Sequence, residues 1–279
     1  MQVPHDHHYV SKGYLRGFSC PIRGRGWVWT YDKRPGRRPK CNPVRSIAWE
    51  HDYYAQERPD GSMDCGTLET AIGTHIEDKA EKLISELSRN PDQIENLRKE
   101  HRHFLESFVA FSHTRVPQFR GSLHRMLSEV GSYVGEIYAG VLAGDPSLAS
   151  KINTSPPQSI TLDSMVDGAS LIAKSLSQKS AVFVYSSNHL FITSDNPVVV
   201  AGNAAAGHES QIIMALSKNL AVHFHAKNGE SDFLVRNPRE SVVEEINSMI
   251  AETAVHRIFA SQNIETLENL IKKHSAVDL

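Results

Sequence analysis

Cysteine is scarce. Cys20, Cys41 and Cys65 are the only three in 279 residues; the number is odd, the spacing wide, and no Cys-x-x-Cys pair occurs. That argues against a disulfide framework and, nearly as strongly, against a zinc–thiolate site. No stretch reaches the roughly 18 consecutive apolar residues of a membrane span. The opening Met-Gln-Val-Pro-His-Asp-His-His has no apolar run of the kind a signal peptide needs. A cytoplasmic protein without a membrane partner is expected. Glycine-rich phosphate loops are missing too: Gly24-Arg25-Gly26 is short and precedes a strand rather than a helix. Ser194 stands in no Gly-x-Ser-x-Gly setting, no standard nuclease spacing is present, and no internal repeat is visible.

What is present is a chain that can build a sizeable core, with 40% hydrophobic and 22% charged residues. The net charge of −2 hides an asymmetry. Met1 to Arg45 carries ten Lys/Arg against Asp6 and Asp32, so this arm is +8 and the remainder −10. Such an arm either binds a polyanion or docks on the protein's own acidic surface.

Trp27 to Tyr31 reads as a strand closed by the turn Asp32-Lys33-Arg34-Pro35-Gly36, with a second short strand near Val44 to Ala48. From Leu68 to Leu87 apolar residues recur at threes and fours, and Asn90-Pro91 ends the run. Further helices are expected with Phe104 to Phe111 inward, over 120 to 143, and from Leu162 to Gln178. Gly144 to Thr161 reads as a linker. Short apolar runs at 181–185, 190–193, 198–200, 212–214 and 220–224 predict strands, and helices are expected over about 240–257 and 263–274. The pattern predicts an α+β fold. Its parts are a β-hairpin lobe (1–60), a helical bundle (64–145), and a later antiparallel or mixed sheet with two closing helices (162–279), in one integrated domain.

Four places hold more reactive side chains than a core needs. His5, His7, His8 and Tyr9 lead into Tyr14-Leu15-Arg16-Gly17-Phe18; imidazole ligates metals and shuttles protons, though a terminus can also fray idly. Glu50-His51-Asp52 beside Trp49, Tyr53 and Tyr54 can hold a hard cation or form a solvated turn. Glu69 and Glu77 share a helix, and Arg115 before Val116-Pro117 suits anchoring of a carboxylate or phosphate. Ser194-Asp195-Asn196-Pro197 sits at a strand end, where both active-site carboxylates and ordinary turns are found.

In this order the motifs resemble a bacterial family catalogued as domain of unknown function 4238. The resemblance runs from His8-Tyr9-Val10-Ser11-Lys12 and Tyr14-Leu15-Arg16-Gly17-Phe18 through Val28 to Asp32, Asp52-Tyr53-Tyr54-Ala55, Leu68-Glu69 and Thr114-Arg115-Val116-Pro117. It ends with Ile192 to Pro197, Asn247 and Ala260-Ser261. Ser11 stands where the family pattern has proline. The resemblance implies no activity, but it implies that His8, Glu69, Arg115, Asp195 and Asn196 meet in space.

Three functions are compatible with these residues. The first is a divalent-metal phosphodiesterase or nuclease. His8, Glu50, Glu69 and Asp195 would hold Mg²⁺ or Mn²⁺, Arg115 would offset charge developing on phosphate, and Lys12, Tyr14, Arg16 and Trp29 would contact the nucleic acid. The second is a binding or regulatory protein whose His, Asp and Arg residues are structural staples. The third is a toxin-like or defence effector acting on a nucleotide.

Overall fold

The computed structural model describes residues 5–58, 60–141, 158–202, 204–227, 231–264 and 267. It begins with strand β1 (Asp6–His8), the short helix α1 (Lys12–Arg16) and a hairpin of β2 (Trp27–Asp32) and β3 (Lys40–Pro43). β4 (Trp49–His51) returns to pair with β1, and β5 (Gln56–Glu57) pairs with β6 (Met63–Asp64). Helices follow: α2 (Thr67–Ile72), a π-turn at Gly73–Glu77, α3 (Asp78–Arg89), α4 (Lys99–Thr114), α5 (Pro117–Val141) and α6 (Gln158–Leu176). The last third supplies β7 (Lys179–Tyr185), β8 (Thr193–Ser194), β9 (Val198–Ala201), β10 (Gln211–Ser217), β11 (Leu220–Ala226), β12 (Phe233–Arg236), α7 (Glu240–Thr253) and β13 (Arg257–Ala260). The fold is α+β.

Two sheets dominate. One has the order β12-β7-β11-β10-β9 and is antiparallel except that β12 runs parallel to β7. Its central strands are buried on both faces: Ile212 to Leu216 and Leu220 to Val222 are all interior, which is why they read as continuous apolar runs rather than alternating ones. The second sheet, β3-β2-β13-β8, inserts a strand from residues 257–260 between the N-terminal hairpin and residues 193–194. A single cluster of buried side chains extends from Val10 to Leu267.

Local sequence explains most boundaries. Ser11 caps α1 by accepting the Tyr14 N–H at 3.4 Å. α3 buries Ala80, Leu83, Ile84 and Leu87 on one face. α4 ends at Thr114, before the proline that disfavours helix behind it.

Some expectations differ from the structure. Val44–Ser46 is a 3₁₀ turn and Ala48 has φ 55°, so no strand forms there; β2 pairs instead with Lys40–Pro43. Of the run 190–193 only Thr193 joins a strand, the two-residue β8 that it forms with Ser194. Ahead of them, the Asn247 side chain accepts from Ile192 N–H and donates to Leu190 C=O, both at 3.0 Å, replacing a strand partner with an amide. α7 stops at Thr253, short of the expected end near 257, where β13 begins. Residues 158–161, expected as the end of a linker, open α6. The rest of that linker, and nearly all of the helix expected over 263–274, lie outside the described residues.

Candidate functional site

The N-terminal segment is a buried strap. β1 and β4 pair in the register His7 to Glu50 and His8 to Trp49, which turns His7 and His8 inward while Glu50 stays exposed. His7 Nδ1 accepts the Tyr54 N–H at 2.9 Å, and the Tyr54 hydroxyl donates to His8 C=O at 3.3 Å. Arg115, 3% exposed at the end of α4, donates to Tyr9 C=O at 2.8 Å and pairs with Glu77. The π-turn holds Glu77 within reach of that guanidinium; extra-residue turns of this kind are frequent where a helix must aim a functional side chain. Tyr53 closes the ring by donating to Arg115 C=O at 2.7 Å.

Two members of this cluster are not consumed by bonding. The His8 ring has no side-chain hydrogen-bond partner, only a weak contact with the Val44 backbone. Burial, reinforced by Lys12 and Arg115, lowers its pKa to about 4. The Glu69 carboxylate has no hydrogen bond or ion pair among the described residues. Burial first, and then Glu77, raises its pKa, against the pull of Arg115, His7 and Lys12.

The other expected site residues do not join this group. Both Asp195 oxygens accept backbone N–H groups, from Val255 at 2.9 Å, His256 at 2.8 Å and Arg257 at 3.0 Å. Asn196 donates to Thr253 C=O at 3.1 Å. The two residues thus bind the α7–β13 connection rather than His8. Nor do the ligand atoms of His8, Glu50, Glu69 and Asp195 come close enough to share one ion. The phenol of Tyr14 is interior, bonded to Thr193 Oγ1 at 2.7 Å and Ala215 C=O at 2.6 Å, and so offers no stacking face. Trp29 is half-buried in β2, packed against the core. Lys12 and Arg16 are exposed on α1.

α1 also forms one wall of a cavity of about 750 Å³, closed by α3 and the β10–β11 turn. Gly17 C=O accepts the Lys218 N–H at 3.2 Å, and Ser88 bonds Ser217 at 2.8 Å, so the three walls are tied together. Five cations line it: Arg16, Arg25, Lys82, Arg89 and Lys218. At its edge Glu81 accepts from the Ser11 hydroxyl at 2.5 Å and lies over Gly13, where an added Cβ would collide with the carboxylate. Burial, followed by the like charges of Glu77 and Asp78, raises the Glu81 pKa against the pull of Ser11 and Arg16. The arrangement offers donors for a phosphate and, beside them, a carboxylate with heightened proton affinity. Sequence reasoning found Tyr14 and Arg16 but missed Glu81 and Lys82. Both sit on a helix whose charged positions look like ordinary solvated surface, and only the return of α1 onto α3 distinguishes them.

A family model described as "Protein of unknown function (DUF4238)" matches residues 6–263. No curated protein and no solved structure matches the chain. No helix among the described residues is long and apolar enough to cross a membrane.

Proposed function

The chain belongs to the DUF4238 family, and from the geometry of its cavity we propose that it binds a phosphodiester-bearing ligand between α1 and α3 and hydrolyses it. The observation that carries this reading is the coincidence, around one cavity, of five cationic side chains with the carboxylates of Asp78, Glu81 and Glu86, of which Glu81 has a raised pKa. A volume of about 750 Å³ suits a nucleotide or the end of a single strand and is too small for a duplex. Arg16, Lys82 and Arg89 would hold phosphate oxygens, and Glu81 would take the proton of the attacking water as the phosphorus–oxygen bond to the leaving group breaks. With Glu81 acting as the base, Asp78, three positions earlier on α3, would contribute a carboxylate oxygen to a Mg²⁺ or Mn²⁺ ion bound with the phosphate.

A binding or regulatory role is the second reading. It is favoured by the pairing of Asp195, Asn196, Arg115 and Tyr14, each of which already staples one part of the chain to another.

The test compares wild type, the double variant Arg16→Ala/Lys82→Ala, and Glu81→Gln. A fluorescent single-stranded oligonucleotide, a nucleotide and a duplex are offered with Mg²⁺ or Mn²⁺. The expected result is a Kd weakened at least tenfold by the double variant, and loss of cleavage with retained binding in Glu81→Gln. Binding without cleavage in wild type would move the protein to the second reading. Absence of binding to all three ligands would remove the cavity from the function.

A further inference from the structure

On the far side of the N-terminal strap, folding undoes what the cysteine spacing suggested. The β1–β4 ribbon sets His5 beside Asp52: the Asp52 N–H donates to His5 C=O at 2.7 Å, and the His5 ring lies 2.6 Å from the Asp52 carboxylate. The β5–β6 ribbon then carries the chain back, so that Cys65 meets the same carboxylate through its thiol. One nitrogen, one oxygen and one sulfur, from positions 5, 52 and 65, thus lie within 4.8 Å of one another. The backbone that carries Asp52 and Cys65 is itself constrained. Asp52 has φ 52°, a left-handed conformation that aspartate tolerates and that persists only where surrounding structure imposes it. Asp64 fixes the other arm by accepting the N–H groups of Gly66 at 3.1 Å and Thr67 at 3.0 Å.

We propose that His5, Asp52 and Cys65 form a binding site for a divalent cation of the zinc class. The donor set selects the metal: imidazole and thiolate favour Zn²⁺ over Mg²⁺ or Mn²⁺, which take oxygen donors. Zinc–ligand distances of about 2.0–2.3 Å put tetrahedral donors roughly 3.3–3.8 Å apart, so the ion would replace the 2.6 Å His5–Asp52 hydrogen bond, opening that pair by about 0.7 Å, while any separation near the 4.8 Å limit closes by about an ångström. As the Zn–S bond forms, the Cys65 thiol gives its proton to solvent. His51, stacked on His5 with ring centroids 5.3 Å apart and 3.2 Å from the second Asp52 oxygen, supports the ligands from behind. His5 and Cys65 both face a cavity of about 840 Å³ whose far wall carries Thr70, Thr74 and His75. Three protein ligands, two of them opening on a cavity, fit a zinc ion that keeps one position for water or another small donor.

The test uses the untagged full chain titrated with Co²⁺ as a spectroscopic stand-in for zinc, with no nucleic acid present, so its outcome is separate from that of the cavity between α1 and α3. One equivalent should produce both the visible absorption of tetrahedral cobalt and the near-ultraviolet thiolate-to-cobalt band. One equivalent of Zn²⁺ should abolish both, and millimolar Mg²⁺ neither. Cys65→Ser should lose the thiolate band. His5→Ala and Asp52→Asn should weaken binding by more than the 10- to 100-fold typical of losing a mere supporting residue. Circular dichroism confirms that each variant is folded. Absence of the thiolate band in wild type would overturn the proposal. So would a Cys65→Ser protein that binds as tightly as wild type, which would assign the metal to surface histidines.

Discussion

Asp195→Ala should unfold the protein more readily rather than inactivate it. The carboxylate is 5% exposed and accepts three backbone N–H bonds of 2.8–3.0 Å from consecutive residues between α7 and β13. Removing it leaves three part-buried donors without their acceptor. An unsatisfied buried donor costs about 1–3 kcal/mol and the bonds are not additive, so the expected loss is roughly 3–6 kcal/mol. Against a typical total of about 5–15 kcal/mol that is severe. Asp195→Asn keeps one acceptor oxygen but turns an amide N–H₂ toward a backbone donor, and about 2–4 kcal/mol is expected. Urea unfolding followed by circular dichroism measures both losses, and ligand binding is then read below the transition. The expected outcome is a lowered midpoint with the Kd of the folded fraction unchanged. If Asp195→Asn instead kept the wild-type midpoint and abolished cleavage, the carboxylate would be reacting with substrate and its anchoring role would be refuted.

Acid should weaken the protein through His8. Its pKa is lowered from 6.5 to about 4, so the neutral ring is favoured in the folded state. That contribution is complete above pH 6.5 and lost as pH falls toward 4, at about 1.4 kcal/mol per unit, or roughly 3 kcal/mol in all. Glu69 and Glu81, whose pKa values are raised, act in the opposite sense, so unfolding free energies at pH 7 and pH 4 are compared between wild type and His8→Gln. The wild type should lose roughly 3 kcal/mol more than the variant, and equal losses would refute the assignment. Gly13→Ala should push Glu81 off Ser11, costing about 1 kcal/mol of capping and bonding. Because the Ser11 hydrogen bond holds the Glu81 pKa down, its loss should raise the pH at which any cleavage activity rises; an unchanged pH profile would detach Glu81 from the reaction.

Local pattern carried the elements with strong periodicity. The α3 stripe, the interior strands β10 and β11, and the stop before Pro117 follow from spacing and from proline alone. β13 did not, because Arg257-Ile258-Phe259-Ala260 is four residues long and becomes a strand only by lying between β2 and β8. Asn247 likewise gives no local sign that its amide will end a strand 55 positions earlier. At the site, the motif residues identified beforehand are mostly those that hold the chain together, since bonds between distant segments leave conspicuous polar residues in apolar surroundings. Residues lining a cavity look like any solvated helix face until a second element is folded over them, and that explains why Glu81 and Lys82 escaped notice.

The hydroxyl of Tyr14 touches Thr193 in one sheet and Ala215 in the other. A ribosome delivers this tyrosine early and its two acceptors some 180 and 200 residues later. At about 5–20 residues per second, the N-terminal strap waits on the order of ten seconds or more for its partners. Through that interval its aromatic residues stay uncovered, and the hairpin of β2 and β3 keeps an open edge until β13 is made. The second sheet is therefore completed only after β13 has been made, and until then the edge of β2 has to stay free of other strands.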